Sequence, residues 1–501
     1  KGVGPGNDGA VKYTLEDDAA SKAAVLQTVG DLAAQVRVAL GDTVAPTAGD
    51  AFTAASLEAA STYVRAQELL LAGNAAAAIP VYLEAAKLDP EFGRAWSGAA
   101  TAARNIGRRE EATKYYENAL AKIDRMTDRE KLRTRGQYYL FTGNAAKAIE
   151  ENEALIARYP SDGVGLGNLG FAYFQSRQFD KAADMVGRAV GLQPANVPRL
   201  VNAALYSMYA GKFEEAMLVA KKHSELQKAY GPAWLTQALA GAALGRYDEA
   251  AANYTTIGSI DGFKAASAQG LADLALLRGR IADAARVLEP MLTEKLPAGQ
   301  QARLHTTLAT VRMAQGRTPE AIRLADAAVQ LSNDATTRFE AGRILLAAGR
   351  APRAKEFAAA LDKSLSPETQ ALSLALTGEI QLVGGDVRGA IASFQQSLKL
   401  ANAWHTRYLL GRAHLAGEQF AEATSEFDAC LARKGEATAI YLDDVPTWRT
   451  IAPVYYYQGV ARAALRSTTG AAESFRTFLA FKEGGDEQSS LVADARKRLA
   501  Q

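Results

Sequence analysis

Asn168 and Asn202 stand 34 residues apart, and each lies two places before a small residue, Gly170 and Ala204. A carboxamide donates and accepts at once, so asparagines on successive elements can hold the backbone amides of an extended peptide. Arg133 and Gln137 would add charged and polar contacts beside them, and Phe171, Phe174, Met208 and Tyr209 would add apolar anchors. Together these side chains form the candidate wall of a peptide-binding groove. Each Asn also has an internal use, satisfying a neighbouring helix carbonyl, and aromatics at helical spacing serve a core as readily as a ligand.

Other chemistry lacks its residues. His223, His305, His405 and His414 include no pair three or four apart, the minimum for a two-ligand metal face on a helix. No metal and no cofactor is therefore expected. Cys430, the single cysteine, excludes an intramolecular disulfide and is expected as a small core hydrophobe. No Gly-x-Ser-x-Gly elbow occurs, and the carboxylates are scattered among basic neighbours. The cluster Gly2, Gly4 and Gly6 has no strand before it and no helix directly after it, so it marks a turn rather than a phosphate cradle. No catalytic residue can be named.

The bulk numbers describe a folded chain with ample core material. Of its 501 residues, 48% are hydrophobic and 22% charged, and 57 Lys and Arg against 55 Asp and Glu leave a formal +2. Nucleic acid is not an expected partner, because phosphate backbones reward a concentrated basic surface. No run of about 18 apolar residues is present, so this chain is not expected to contact a membrane by itself. It starts at Lys1 without Met, as a fragment would.

The elements that must position the wall emerge from a repeated phrase. Ala78, Ala112, Ala148, Ala182, Ala216, Ala250, Ala284, Ala321, Ala354, Ala390, Ala423 and Ala471 recur at spacings of 33 to 37 residues, except for the last step of 48. A second small residue sits 12 positions before each, from Ala66 and Ala100 to Gly411 and Gly459. Two small residues per period are needed where two helices cross closely. Between them Gly73, Gly107, Gly143, Gly211, Gly245, Gly279, Gly316, Gly349 and Gly385 stop the first helix. Pro90, Pro160 and Pro194 close the second.

With Trp96 and Trp234 four places before the small residue, the pattern resembles the tetratricopeptide repeat. The expected fold is therefore all-α, a superhelical solenoid of about twelve helix-turn-helix units over 56–483, with an insertion at 435–449. Capping signals at Thr127 with Glu130 and at Ser366 with Pro367 support the phase. Residues 484–501 are expected to cap the end as an amphipathic helix. Residues 1–41, strand-like over 11–15 and helical over 19–40, are expected to be the tail of an α/β unit, and 42–55 a linker. In the insertion, Tyr441 and Trp448 are expected to pack on the final repeats, with Asp443 and Asp444 as poor metal ligands.

Taken in order, SKAAVLQTVGDLAAQVRVALGD (21–42), TAASLEAASTYVRAQELL (53–70), RMTDREKLRTRGQYYL (125–140), GLADLALLRGRIADA (270–284) and GEATAIYLDDVPTW before VYYYQGVA (435–461) resemble a known region. It is the repeat-bearing C-terminal region of bacterial transmembrane serine/threonine protein kinases. Related regions follow nucleotidyl cyclases and winged-helix regulators. The resemblance implies a sensory or docking module that binds a protein or peptide, with the protein's own kinase domain a further partner. It also implies a periplasmic location beyond a single membrane span, the alternative being cytoplasmic. The chain itself lacks the Gly-rich loop, the HRD-like loop and the DFG-like Asp of a kinase. Two other classes stay open: a scaffold that self-assembles, and an enzyme hidden in the repeats.

Overall fold

The computed structural model describes residues 2–5, 11–21, 24–39, 53–194, 196–438, 445 and 447–500. At the start, strand Gly2–Pro5 pairs antiparallel with strand Val11–Leu15, and helix Val25–Ala39 follows. The second strand matches expectation, whereas the first lies in a glycine cluster expected to be only a turn. Pairing with a neighbour supplied what glycine's weak strand preference withheld.

From Leu57 to Phe481 the described helices form twelve hairpins, from Leu57–Leu71 with Ala75–Leu88 to Ile451–Ala464 with Thr468–Phe481. The fold is the expected repeat solenoid. It divides into two compact units, Lys1–Tyr206 and Ser207–Gln501. Among the described residues no helix is long and apolar enough to cross a membrane.

Close crossing explains the periodic small residues. The alanines of the second helices from Ala78 to Ala423 are fully buried. In the tenth repeat (Pro367–Val383, Val387–Leu400), a Cβ added to Gly378 would lie 2.6 Å from the ring of Phe394, four places after Ala390. The aromatic fills the space the glycine leaves. The same pairing joins Gly411 to Phe427 and Gly459 to Phe475.

The turn between helices needs one residue in the left-handed region. All nine expected glycines occupy it, with φ between 66° and 85°. The amide after that residue then reaches back to close the first helix, as Arg246 N does to the Gly241 carbonyl at 2.8 Å. In three repeats the position belongs to Arg177, Glu418 and Arg466, with φ of 55°, 57° and 62°. They keep the turn because the hydrogen bond persists, as in Gln419 N to the His414 carbonyl at 2.9 Å.

Within the second unit the chain returns on itself. Asp486 accepts from the Ile281 and Ala282 amides at 2.5 and 3.0 Å, capping a helix, Ile281–Leu288, whose own N-cap side chain makes no such bond. Lys482 Nζ donates to the Leu276 carbonyl at 3.1 Å, at the end of helix Lys264–Leu277, and pairs with Glu487 at 2.7 Å. Each charge thus meets the helix end of opposite partial charge. Gly485 is required there, since a Cβ would stand 2.6 Å from the Arg278 and Gly279 carbonyls. The last helix, Ser490–Leu499, buries Val492 and Ala495 against the final repeat's cluster.

Two opposite outcomes test this geometry by thermal or urea unfolding. Gly378→Ala should destabilise the second unit by roughly 1–3 kcal/mol through overpacking against Phe394. Glu418→Gly, at an exposed position, should stabilise it by roughly 0.5–1 kcal/mol by relieving a left-handed side chain.

Candidate peptide-binding surface

The first unit builds its surface around a buried carboxylate. Asp162 is fully buried and caps helix Gly163–Gln175, accepting from the Gly165 amide at 2.9 Å. It also accepts from Arg129 Nε at 2.7 Å and Arg133 Nε at 2.8 Å, both on the preceding first helix, Asp128–Phe141. That helix opens with the expected capping box: Thr127 Oγ1 accepts from the Glu130 amide and Glu130 accepts from the Thr127 amide. Arg133 is therefore fixed in direction by Asp162 before any ligand arrives.

The remaining polar candidates lie one place after the small residue, at Gln137, and two places before it, at Asn168 and Asn202. Gln137 accepts from Thr101 Oγ1 at 3.5 Å, linking the second and third repeats. Asn168 and Asn202 are half-buried, and the Asn168 Nδ2 is buried with no hydrogen-bond partner among the described residues. Phe171 is half-buried against Leu140, Ala148 and Ala172.

Phe174, Met208 and Tyr209 are core residues instead of wall residues, with exposures of 0%, 0% and 2%. Phe174 stacks on Tyr206 with centroids 4.5 Å apart, and Met208 packs with Met217 and Leu239. For Phe174 and Met208 the reason is helical phase. Each lies four after the small residue and shares its face, and that face is turned to the second helix, whereas the burial of Tyr209, five after Ala204, does not follow from this phase. Positions two before and one after the small residue lie on the other side.

The second unit carries polar side chains on those two positions, which sequence reasoning did not single out: Asp273, Thr307, Glu340, Arg343 and Glu379. Gln269 Nε2 donates to Asp273 and to Thr307, each at 2.9 Å. Arg343 bridges Glu340 at 3.2 Å and Glu379 at 2.7 Å. Into this row the insertion sends Arg449, whose guanidinium meets Asp273 at 3.2 Å and Glu340 at 2.6 Å. Burial pushes the Asp273 carboxyl pKa up, against the opposing pull of Arg449.

Trp448 is buried in the cluster that includes Ile451, Ala452 and Val454 of the final repeat, as expected, and it also reaches further. It meets Phe213 of the fifth repeat edge-on, at 6.5 Å, and borders a cavity of about 300 Å³ with Leu235, Leu239, Tyr254 and Leu304. Gly435, at the insertion's start, abuts the Met208 and Tyr209 carbonyls. Tyr441, Asp443 and Asp444 lie outside the described residues. The 48-residue spacing was the available signal for this segment; its destination was not encoded locally.

Two further candidates for chemistry are accounted for. Cys430 is fully buried, and burial pushes its thiol pKa up. Among the described residues no group of three or more His, Cys, Asp or Glu is placed to hold a metal ion.

Asp162 gives the surface a pH signature. Burial alone would raise its pKa, but Arg133 and Arg129, with the Gly165 amide, hold it below the usual carboxylate range. A depressed folded pKa contributes stability above the unfolded value that is lost as pH falls through the folded one. Asp162→Asn should therefore cost about 3 kcal/mol at neutral pH. It should also flatten the wild-type loss of stability below about pH 4, as read from urea midpoints across pH.

Comparison with known proteins agrees with the geometry. The tetratricopeptide repeat family model matches residues 63–125, 306–368 and 376–437. Human tetratricopeptide repeat protein 6 is 31% identical over 117 residues, which span 23% of this chain and 22% of that relative's length. Among solved structures, a tetratricopeptide repeat protein from Parabacteroides merdae aligns at 16% identity and a TM-score of 0.37, covering 57% of this chain and 98% of that one. Yeast Tom70 aligns at 15% identity and a TM-score of 0.44, covering 79% and 96%. Paired helices, small residues at each crossing and a left-handed turn in every repeat give this chain the fold of a tetratricopeptide-repeat solenoid.

Proposed function

We propose that the first unit binds an extended segment of a partner protein across Asn168, Asn202, Gln137 and Arg133, acting by contact rather than catalysis. The observation that carries this is the buried Asn168 Nδ2 without a partner. An unsatisfied buried donor costs about 1–3 kcal/mol, which a ligand carbonyl would recover. Arg133, already oriented by Asp162, spends no ordering entropy on binding. In keeping with the resemblance to bacterial serine/threonine kinases, the module reports to an attached kinase, or to a cyclase or winged-helix effector. On the same ground it works outside the cytoplasm, beyond a single membrane span.

A scaffold role is the second possibility, favoured by large apolar side chains left in solvent: Leu71 at 78%, Leu218 at 70% and Leu365 at 97% exposed. Light scattering separates the two, since a self-assembling scaffold is oligomeric without a ligand.

Peptides selected from a random extended-peptide library against the wild-type chain, then titrated by calorimetry, test the first proposal. Asn168→Ala with Asn202→Ala should weaken them roughly tenfold or more with the helical signal unchanged. Equal affinity in the double variant would reject this surface.

A further inference from the structure

The second unit places a guanidinium where its repeats present carboxylates. We infer that the polar row of this unit from Asp273 to Glu379 is an arginine-recognition site, held by the chain's own Arg449, which exchanges that occupant for an arginine-bearing segment of a partner protein. The inference concerns a different surface from the one proposed above and stands whether or not the first unit binds peptide.

Each carboxylate that meets Arg449 also has a partner of its own. Asp273 comes from the first helix of the seventh repeat and is held by Gln269, which Thr307 of the eighth repeat holds in turn through a second bond of 3.0 Å. Glu340 comes from the first helix of the ninth repeat and is held by Arg343, which Glu379 of the tenth repeat anchors. The two carboxylates take two different nitrogens of Arg449. That division suits a planar fork of donors and not the single charge of a lysine.

Charge demands an occupant. The Glu340 side chain is 4% exposed and that of Asp273 is 17% exposed; among the described residues, withdrawing Arg449 leaves Glu340 paired with Arg343 and Asp273 without an ion pair. Buried carboxylates without a counter-charge are costly, so the row selects a cation.

Room for exchange lies beside the guanidinium. The cavity of about 300 Å³ bordered by Trp448, Leu235, Leu239, Tyr254 and Leu304 is mainly apolar. An incoming segment that places an aromatic or branched side chain next to an arginine would fill both places. The resident pair Trp448–Arg449 has that pattern. A resident occupant lowers the apparent affinity of any competitor, so the exchange is graded by how firmly the insertion is seated.

A synthetic peptide of residues 445–452 carrying Trp448→Phe tests the site on the full chain, because it lacks tryptophan and leaves Trp448 as the reporter. In the wild type it should shift tryptophan emission to the red, as Trp448 leaves its buried position. The Trp448→Phe protein should show no shift. A peptide with lysine in place of arginine should bind at least tenfold more weakly. Arg449→Ala, freed of its occupant, should bind the arginine peptide at least tenfold more tightly than the wild type, as measured by calorimetry. Glu340→Gln should abolish binding, and Asn168→Ala with Asn202→Ala should leave it unchanged. Absence of saturable binding to both the wild type and Arg449→Ala would overturn the inference, as would equal binding of the lysine peptide. If Arg449→Ala fails to fold, the wild-type displacement decides alone, and no emission shift there overturns it.

Discussion

Every repeat depends on one contact: the first helix must approach its partner so closely that a glycine or alanine is the largest residue the crossing admits. At Gly378 the Phe394 ring already occupies the place of a Cβ. This constraint fixes the rotation of both helices about their axes. Once rotation is set, the residues two before and one after the small position leave the hairpin interior, and those four after it enter. The distinction between core and surface follows from 100° of helix per residue, not from residue type.

That rotation has an electrostatic consequence. Side chains leaving the hairpin interiors of successive first helices line up beside one another, so polar residues far apart in sequence become neighbours. In the first unit the result is a pair of arginines, Arg129 and Arg133, clamped on Asp162 of the next repeat. In the second it is a chain of alternating charges from Asp273 to Glu379, which accepts Arg449 as one more member. Carboxylates at those positions are stable only because each has a cation or amide in reach.

The second unit also shows how a repeat array, in which each hairpin touches mainly its neighbours, acquires contacts of long sequence range. Asp486 and Lys482 supply helix-end charges to a hairpin about two hundred residues earlier, consistent with separations of 205 and 206 positions. Such contacts tie the C-terminal end of the array to its seventh repeat, and their stabilisation comes from helix-end groups that the seventh repeat does not satisfy by itself.

Much of the architecture was legible from residue order. The alanine period, the nine glycine turns, the capping box at Thr127 and the N-cap at Ser366 are local signals, because each concerns atoms within one turn of helix. Of the candidate wall, Arg133, Gln137, Asn168, Asn202 and Phe171 are half-buried, whereas Phe174 and Met208, four places after a small residue, and Tyr209, five places after, are core residues. The chain alone therefore determined which segments pair as hairpins and where each turns. Only the tertiary structure decided that Arg449 joins the row from Asp273 to Glu379, that Trp448 also meets Phe213 of the fifth repeat and that Asp486 caps a distant helix. Those outcomes depend on the small rotation between successive repeats, summed over several of them, and no local spacing in the chain encodes that sum.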